Sequence, residues 1–215
     1  MSRSLPVASC LTPLLMALAA CSSSGEFDET GGIKIVRSAC PAVAIPAYTG
    51  DVTLFDPPAS REARAIDVVA TITNLRGTCT DSGEMIQSTA TFAVQARRST
   101  AGPARDVVIP YFATVVRGGS AVVSKQVSRV AIHFNDGELR AASTGTATAS
   151  VSRAAATVPA EIQQKITRKR KPTDADASID PMADPAVRSA VQRASFELLV
   201  GFQLSEDQLA YNATR

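Results

Sequence analysis

Tryptophan is absent from this 215-residue chain, and histidine occurs once, at position 133. A lone imidazole removes multi-histidine metal sites and thins out histidine-based catalysis, and the lack of tryptophan removes the usual aromatic platform for sugars. Charge of one sign is lacking too. Lys and Arg number 22 against 20 Asp and Glu, a formal +2, so no global field marks a nucleic-acid binder. The G-x-S-x-G elbow, the phosphate loop, G-x-G-x-x-G and H-E-x-x-H do not occur, so serine hydrolase, nucleotide, dinucleotide and zincin chemistry lack their mechanical requirements. What is present, 45% hydrophobic and 20% charged residues, suits a globular chain with one core.

The sharpest signal is N-terminal. Arg3 precedes a short apolar run over residues 11–20 that ends in small residues, the layout of a secretory signal and too short to cross a bilayer as a stable helix. At its end, Leu18, Ala19, Ala20 and Cys21 resemble the lipobox of bacterial lipoproteins. Val7, Ala8, Ser9 and Cys10 mimic the same tetrad, but almost no apolar run precedes them. The resemblance implies that the Cys21 sulfur receives a diacylglycerol, that the chain is cut before Cys21, and that the new amino group is acylated. Ser22 in place of Asp after that cysteine implies, by the same similarity, sorting to the outer membrane of a Gram-negative cell, lipid-anchored on its periplasmic face. The alternatives are a plain secretion signal or a buried apolar hairpin.

Of the four cysteines, Cys10 would leave with the signal and Cys21 would carry lipid. Cys40 and Cys79 remain and can form a disulfide in an oxidising periplasm, the alternative being two buried free thiols. A catalytic thiol is less attractive, because the only imidazole is His133.

These signals divide the chain into a signal peptide over residues 1–20, a small and acidic tether over 21–32, and a single domain over 33–215 with a helical insert at about 158–193. Alternation puts Ile66, Val68, Ala70 and Ile72 on one strand face, and Ala90, Phe92, Val94 and Ala96 on another. Residues 107–116 are apolar on both faces, which predicts a central strand with Pro110 at a bulge or local break. Gly118-Gly119 and Asn135-Asp136-Gly137 punctuate two further strands. Helices are expected around Ile162 and Ile166, and from Asp184-Pro185 through Val187, Ala190 and Val191. Phe196, Leu198, Val200, Phe202 and Leu204 return to period two, and Ser205 to Gln208 fits a capping box. The expected fold is mainly β, an immunoglobulin-like antiparallel β-sandwich with two or three short helices toward the C-terminus.

The body also carries a resemblance. Tyr111-Phe112-Ala113-Thr114-Val115-Val116, Ser124-Lys125-Gln126, the stretch from Leu199 to Leu204 and that from Gln208 to Asn212 are similar to a group of bacterial lipoproteins of unknown function. That similarity implies no activity and carries over no catalytic residue.

The densest charge run is Lys165, Arg168, Lys169, Arg170 and Lys171. It reads either as a solvated helix end answered by the following aspartates or as a patch for anionic headgroups, glycolipid phosphates or an acidic envelope protein. Asp174, Asp176, Ser178 and Asp180 have the two-residue spacing of a calcium loop. Ile179 stands where such a loop turns on glycine, and Pro185 where it needs glutamate, so an acidic linker is the better reading and no metal is expected. His133 should point outward. The pairs Asp51 with Asp56 and Asp81 with Glu84 have the residue types of a glycosidase but the setting of loops. The functional expectation is a lipid-anchored, non-enzymatic envelope protein that binds or scaffolds a partner through its sandwich edges, its basic helix end or the segment around Tyr211. It needs no cofactor and binds no nucleic acid. An envelope hydrolase acting on glycan or peptide, or a purely structural surface lipoprotein, is the alternative.

Overall fold

The computed structural model describes residues 39–214, the side chain of Ser82 excepted. The expected signal peptide, the expected lipidation position Cys21, the expected tether and the expected domain start at Ile33 lie outside the described residues. Eight strands form two four-stranded sheets packed as a β-sandwich. They are β1 (Ala42–Ala44), β2 (Asp51–Phe55), β3 (Ile66–Ser82), β4 (Met85–Arg98), β5 (Arg105–Arg117), β6 (Ala121–Phe134), β7 (Arg140–Ser152) and β8 (Phe196–Phe202). One sheet runs β1-β8-β5-β6 and the other β2-β3-β4-β7. The chain changes sheet between β4 and β5 and again between β6 and β7, so β4 and β7 become neighbours with two strands between them in sequence.

Period two decides which residues enter the core. Val68, Ala70 and Ile72 of β3, Ala90, Phe92, Val94 and Ala96 of β4, and Phe196, Leu198, Val200 and Phe202 of β8 are buried between the sheets. Opposite them β7 offers small residues, with Ala147 and Ala149 buried. At Gly145 a Cβ would stand 2.2 Å from the Phe92 ring, so only glycine leaves room for the phenyl group. Phe92 meets Tyr111 edge to face at 5.1 Å, and the Tyr111 hydroxyl donates across the sandwich to the Thr146 carbonyl at 2.7 Å.

The antiparallel sandwich is as expected, with one parallel pair added, and one expectation, at Pro110, needs correction. Not every neighbouring pair is antiparallel, because β1 joins the edge of its sheet parallel to β8. Three residues suffice for that pairing because the chain is fixed just upstream by the Cys40–Cys79 disulfide. Pro110 causes neither bulge nor break: it stays in register with Arg129, and the irregularity of β5 lies between Val115 and Val116. The Pro110 carbonyl accepts from the Gln203 N–H at 2.9 Å, so its ring nitrogen, which has no proton to give, faces the side where β8 has already ended. Tyr211, half-buried, packs against Phe55 at 5.2 Å, on a helix that docks on β2.

The helices follow their sequence signals. Asp184 caps α3 (Pro185–Ala194) by accepting from the Ala186 N–H, and Val187, Ala190 and Val191 form its buried face. With Ile162 of α2 (Ala160–Thr167), Val187 and Ala190 build a small satellite core, completed by Val158, Ile166 and Met182. A four-residue turn, α1 (Arg153–Ala156), leads into this insert. Before α4 (Glu206–Thr214) the capping box is reciprocal: the Gln208 N–H donates to Ser205 Oγ and the Ser205 N–H to Gln208 Oε1. Asn212 then fixes α4 to the sandwich by donating to the carbonyls of Tyr48 and Asp51, each at 2.8 Å.

Candidate functional site

The cysteines that remain in the body are bonded. Cys40 and Cys79 form a disulfide with Cα atoms 6.0 Å apart, which closes a sequence separation of 39 residues. A register shift between Thr73 and Arg76 makes this possible. Before the shift the even-numbered residues of β3 face inward. After it Gly77 lies opposite Ala90 and Cys79 opposite Ser88, both buried, so the odd-numbered residues have turned inward. Asn74, at φ 51°, adopts the left-handed conformation within the bulge.

The basic run is held by its own acidic loop. The guanidinium groups of Arg168 and Arg170 both reach Asp176 Oδ2, and the Lys171 N–H donates to Asp174 Oδ2 at 3.0 Å. Desolvation works to raise the Asp176 carboxyl, but the charge of Arg168 and the hydrogen bonds from Arg168 and Arg170 outweigh it and hold the group below the ordinary carboxylate range. Residues 160–184 contain five cations and five carboxylates, so the segment carries no net charge. Arg168, Arg170 and Lys165 line a groove of about 870 Å³ beside α2, but Glu161, Asp176, Asp180 and Asp184 line it as well. The local field is therefore mixed in sign. Asp180 also has a backbone duty, accepting from the Met182 N–H at 2.8 Å.

The other carboxylates are similarly committed. Arg153 pairs with Asp81 at 2.5 Å, and Thr71 donates to Asp51 at 2.7 Å. His133 points outward as expected and lies 2.8 Å from Asp106, with both side chains more than half exposed. Among the described residues no group of three or more His, Cys, Asp or Glu side chains is placed to hold a metal ion, and no helix is long and apolar enough to cross a membrane.

Two features were missed by the sequence reading. Arg98, at the end of β4, is 2% exposed and has four carbonyl contacts, from Nε to Glu138, Nη1 to Pro103, and Nη2 to Gly102 and Asn135, with the Phe134 ring under its guanidinium at 5.4 Å. It thus ties the β4–β5 loop to the β6–β7 turn, two of the places where the chain changes sheet. The alternation that buries Val94 and Ala96 extends to 98, and this was the available signal. At the other end of β6 and β7 the sandwich is open: Ser124, Gln126, Thr148, Ser150 and Gln87 surround a slot of about 290 Å³ floored by Ala113, Val115 and Ala149. No family model, curated protein or solved structure matches the chain.

Proposed function

We propose that this chain is a lipid-anchored lipoprotein of the cell envelope, held at the periplasmic face of the outer membrane through Cys21, whose β-sandwich binds or scaffolds another envelope component. The observation that carries the reading is the order of Leu18, Ala19, Ala20 and Cys21 directly after the apolar run. The Cys40–Cys79 disulfide supports it, because such bonds persist in oxidising compartments and the periplasm is one. Small and acidic residues between Cys21 and Gly32 suit a tether that leaves the domain free to meet a partner. A binding role is supported by the commitment of the candidate carboxylates: Asp81 and Asp176 to arginines, Asp51 to a threonine. The neutralised basic run favours the sandwich edges over Lys165, Arg168, Lys169, Arg170 and Lys171 as the binding surface.

Metabolic labelling with a palmitate analogue tests the anchor. The full chain should take up label and sediment with outer membranes, and Cys21→Ser should lose the label and leave the membrane fraction, since each buried methylene contributes ~0.8 kcal/mol to anchoring. Equal labelling and sedimentation of the variant would overturn the reading.

A further inference from the structure

Strand β6 changes character along its length. Val130, Ile132 and Phe134 are buried, but residues 121–129 are exposed throughout, with Val127 at 57%. This half bonds only to β5, and among the described residues no other strand pairs with it. The ladder shows which of its backbone groups are open. The Pro110 carbonyl bonds to Gln203, away from β6, so Pro110 and Arg129 form a non-hydrogen-bonded pair. By alternation so do Phe112 with Val127 and Thr114 with Lys125. The N–H and C=O groups of Lys125, Val127 and Arg129 therefore point to the free edge, and the side chains of these residues share the outer face. Lys125 lies there over the Phe112 ring, 5.3 Å from its centroid. Beneath the same edge opens the slot lined by Ser124, Gln126, Thr148 and Ser150.

We propose that the free half of β6 is a docking edge for an extended acidic segment of a protein partner, which adds to the sheet as an antiparallel strand. The edge itself states the occupant's chemistry. A strand centred on Val127 places residues opposite Lys125 and Arg129, and carboxylates there meet both cations. Its central residue, facing Val127, is apolar, and the residues on either side of that centre turn toward the hydroxyl and amide groups of the slot, which suits small polar side chains. The recognised sequence is thus acid, small polar, apolar, small polar, acid. A second copy of this chain is disfavoured, because antiparallel self-pairing about Val127 sets Lys125 against Arg129 twice, the charge arrangement by which edge strands avoid their own kind. This inference names the partner for the binding half of the proposed function and does not depend on the lipid.

The test uses the full chain purified in detergent and a fluorescent peptide with the core Glu-Thr-Val-Thr-Glu. Saturable binding is expected, with slowed amide exchange at Lys125, Val127 and Arg129. The Lys125→Glu and Arg129→Glu double variant should weaken binding about tenfold, the effect of two exposed ion pairs, and should favour a Lys-Thr-Val-Thr-Lys peptide instead. Val127→Pro removes an N–H that β5 does not use, so it should abolish binding while leaving the thermal midpoint nearly unchanged. No binding, equal binding of the two peptides by the native chain, or undiminished binding by Val127→Pro would each overturn the proposal, as would β6 protection arising from self-association without peptide. The acyl-labelling experiment fails or succeeds independently, so loss of the anchor reading and loss of the edge reading are distinguishable.

Discussion

Arg98 and Arg168 are the same side chain in opposite settings. Arg98 is buried and, among the described residues, meets carbonyl oxygens and an aromatic ring rather than a carboxylate. Arg168 stands half exposed against Asp176 in a segment dense with charge. A guanidinium fork filled with carbonyl acceptors offsets its own desolvation and organises the chain that supplies them, here two of the connections between sheets. An ion pair in water holds little, because solvent and salt compete for both partners. The run of basic residues draws the eye in the sequence, yet the buried Arg98 has the larger structural role.

Removing the buried fork should have the largest effect. Arg98→Met keeps much of the volume but deserts its carbonyl acceptors, and should cost about 3–5 kcal/mol of unfolding free energy in a urea titration. A loss no greater than that of an exposed arginine would erase the contrast between the two sites. Arg98→Lys sharpens it further. The charge is kept and the planar fork is lost, so about 2 kcal/mol should go, showing that geometry as well as charge is read by the two loops.

At the small end, Arg168→Gln and Asp176→Asn should leave the unfolding midpoint at neutral pH unchanged within error. The pH dependence has a definite sign. The Asp176 carboxyl is depressed in the folded chain, so its contribution is present above the ordinary carboxylate value and is lost as pH falls through the folded one. A carboxyl NMR titration should show Asp176 ionising at lower pH in the native chain than in Arg168→Gln. Identical curves would mean that the ion pair does not form in solution.

The open half of β6 extends the comparison to whole regions. At the Arg98 end the edge strands are drawn together by side chain and turn. At the other end Ser124 and Gln126 occupy positions of the parity that carries Val130 and Ile132 further along β6, and the strands are left open. The mixed exposure of β6 was visible as a poor alternation between Ala121 and Arg129, and was taken for an ordinary strand.

Local signals carried much of the fold. Alternation identified the inner faces of β3, β4 and β8, the Asp184-Pro185 pair started α3, and the Ser205 to Gln208 box started α4, because each depends on residues within one or two turns of each other. The site was less legible. That Asp176 would satisfy Arg168 and Arg170 could be framed as an alternative from charge order, but the choice required the loop to close. The contact of Tyr211 with the Phe55 ring likewise depends on the docking of α4 on β2.

The sequence by itself determined that strands dominate and where the helices start. Tertiary structure decided the rest. The inward turn of Cys79 depends on a one-residue register shift at Asn74, the burial of Arg98 on two loops brought together across the sandwich, and the open edge of β6 on which strand pairs beside it. Periodicity is set by backbone geometry within a few residues, whereas pairing order and register are set by contacts between segments far apart in sequence, and no local pattern encodes their sum.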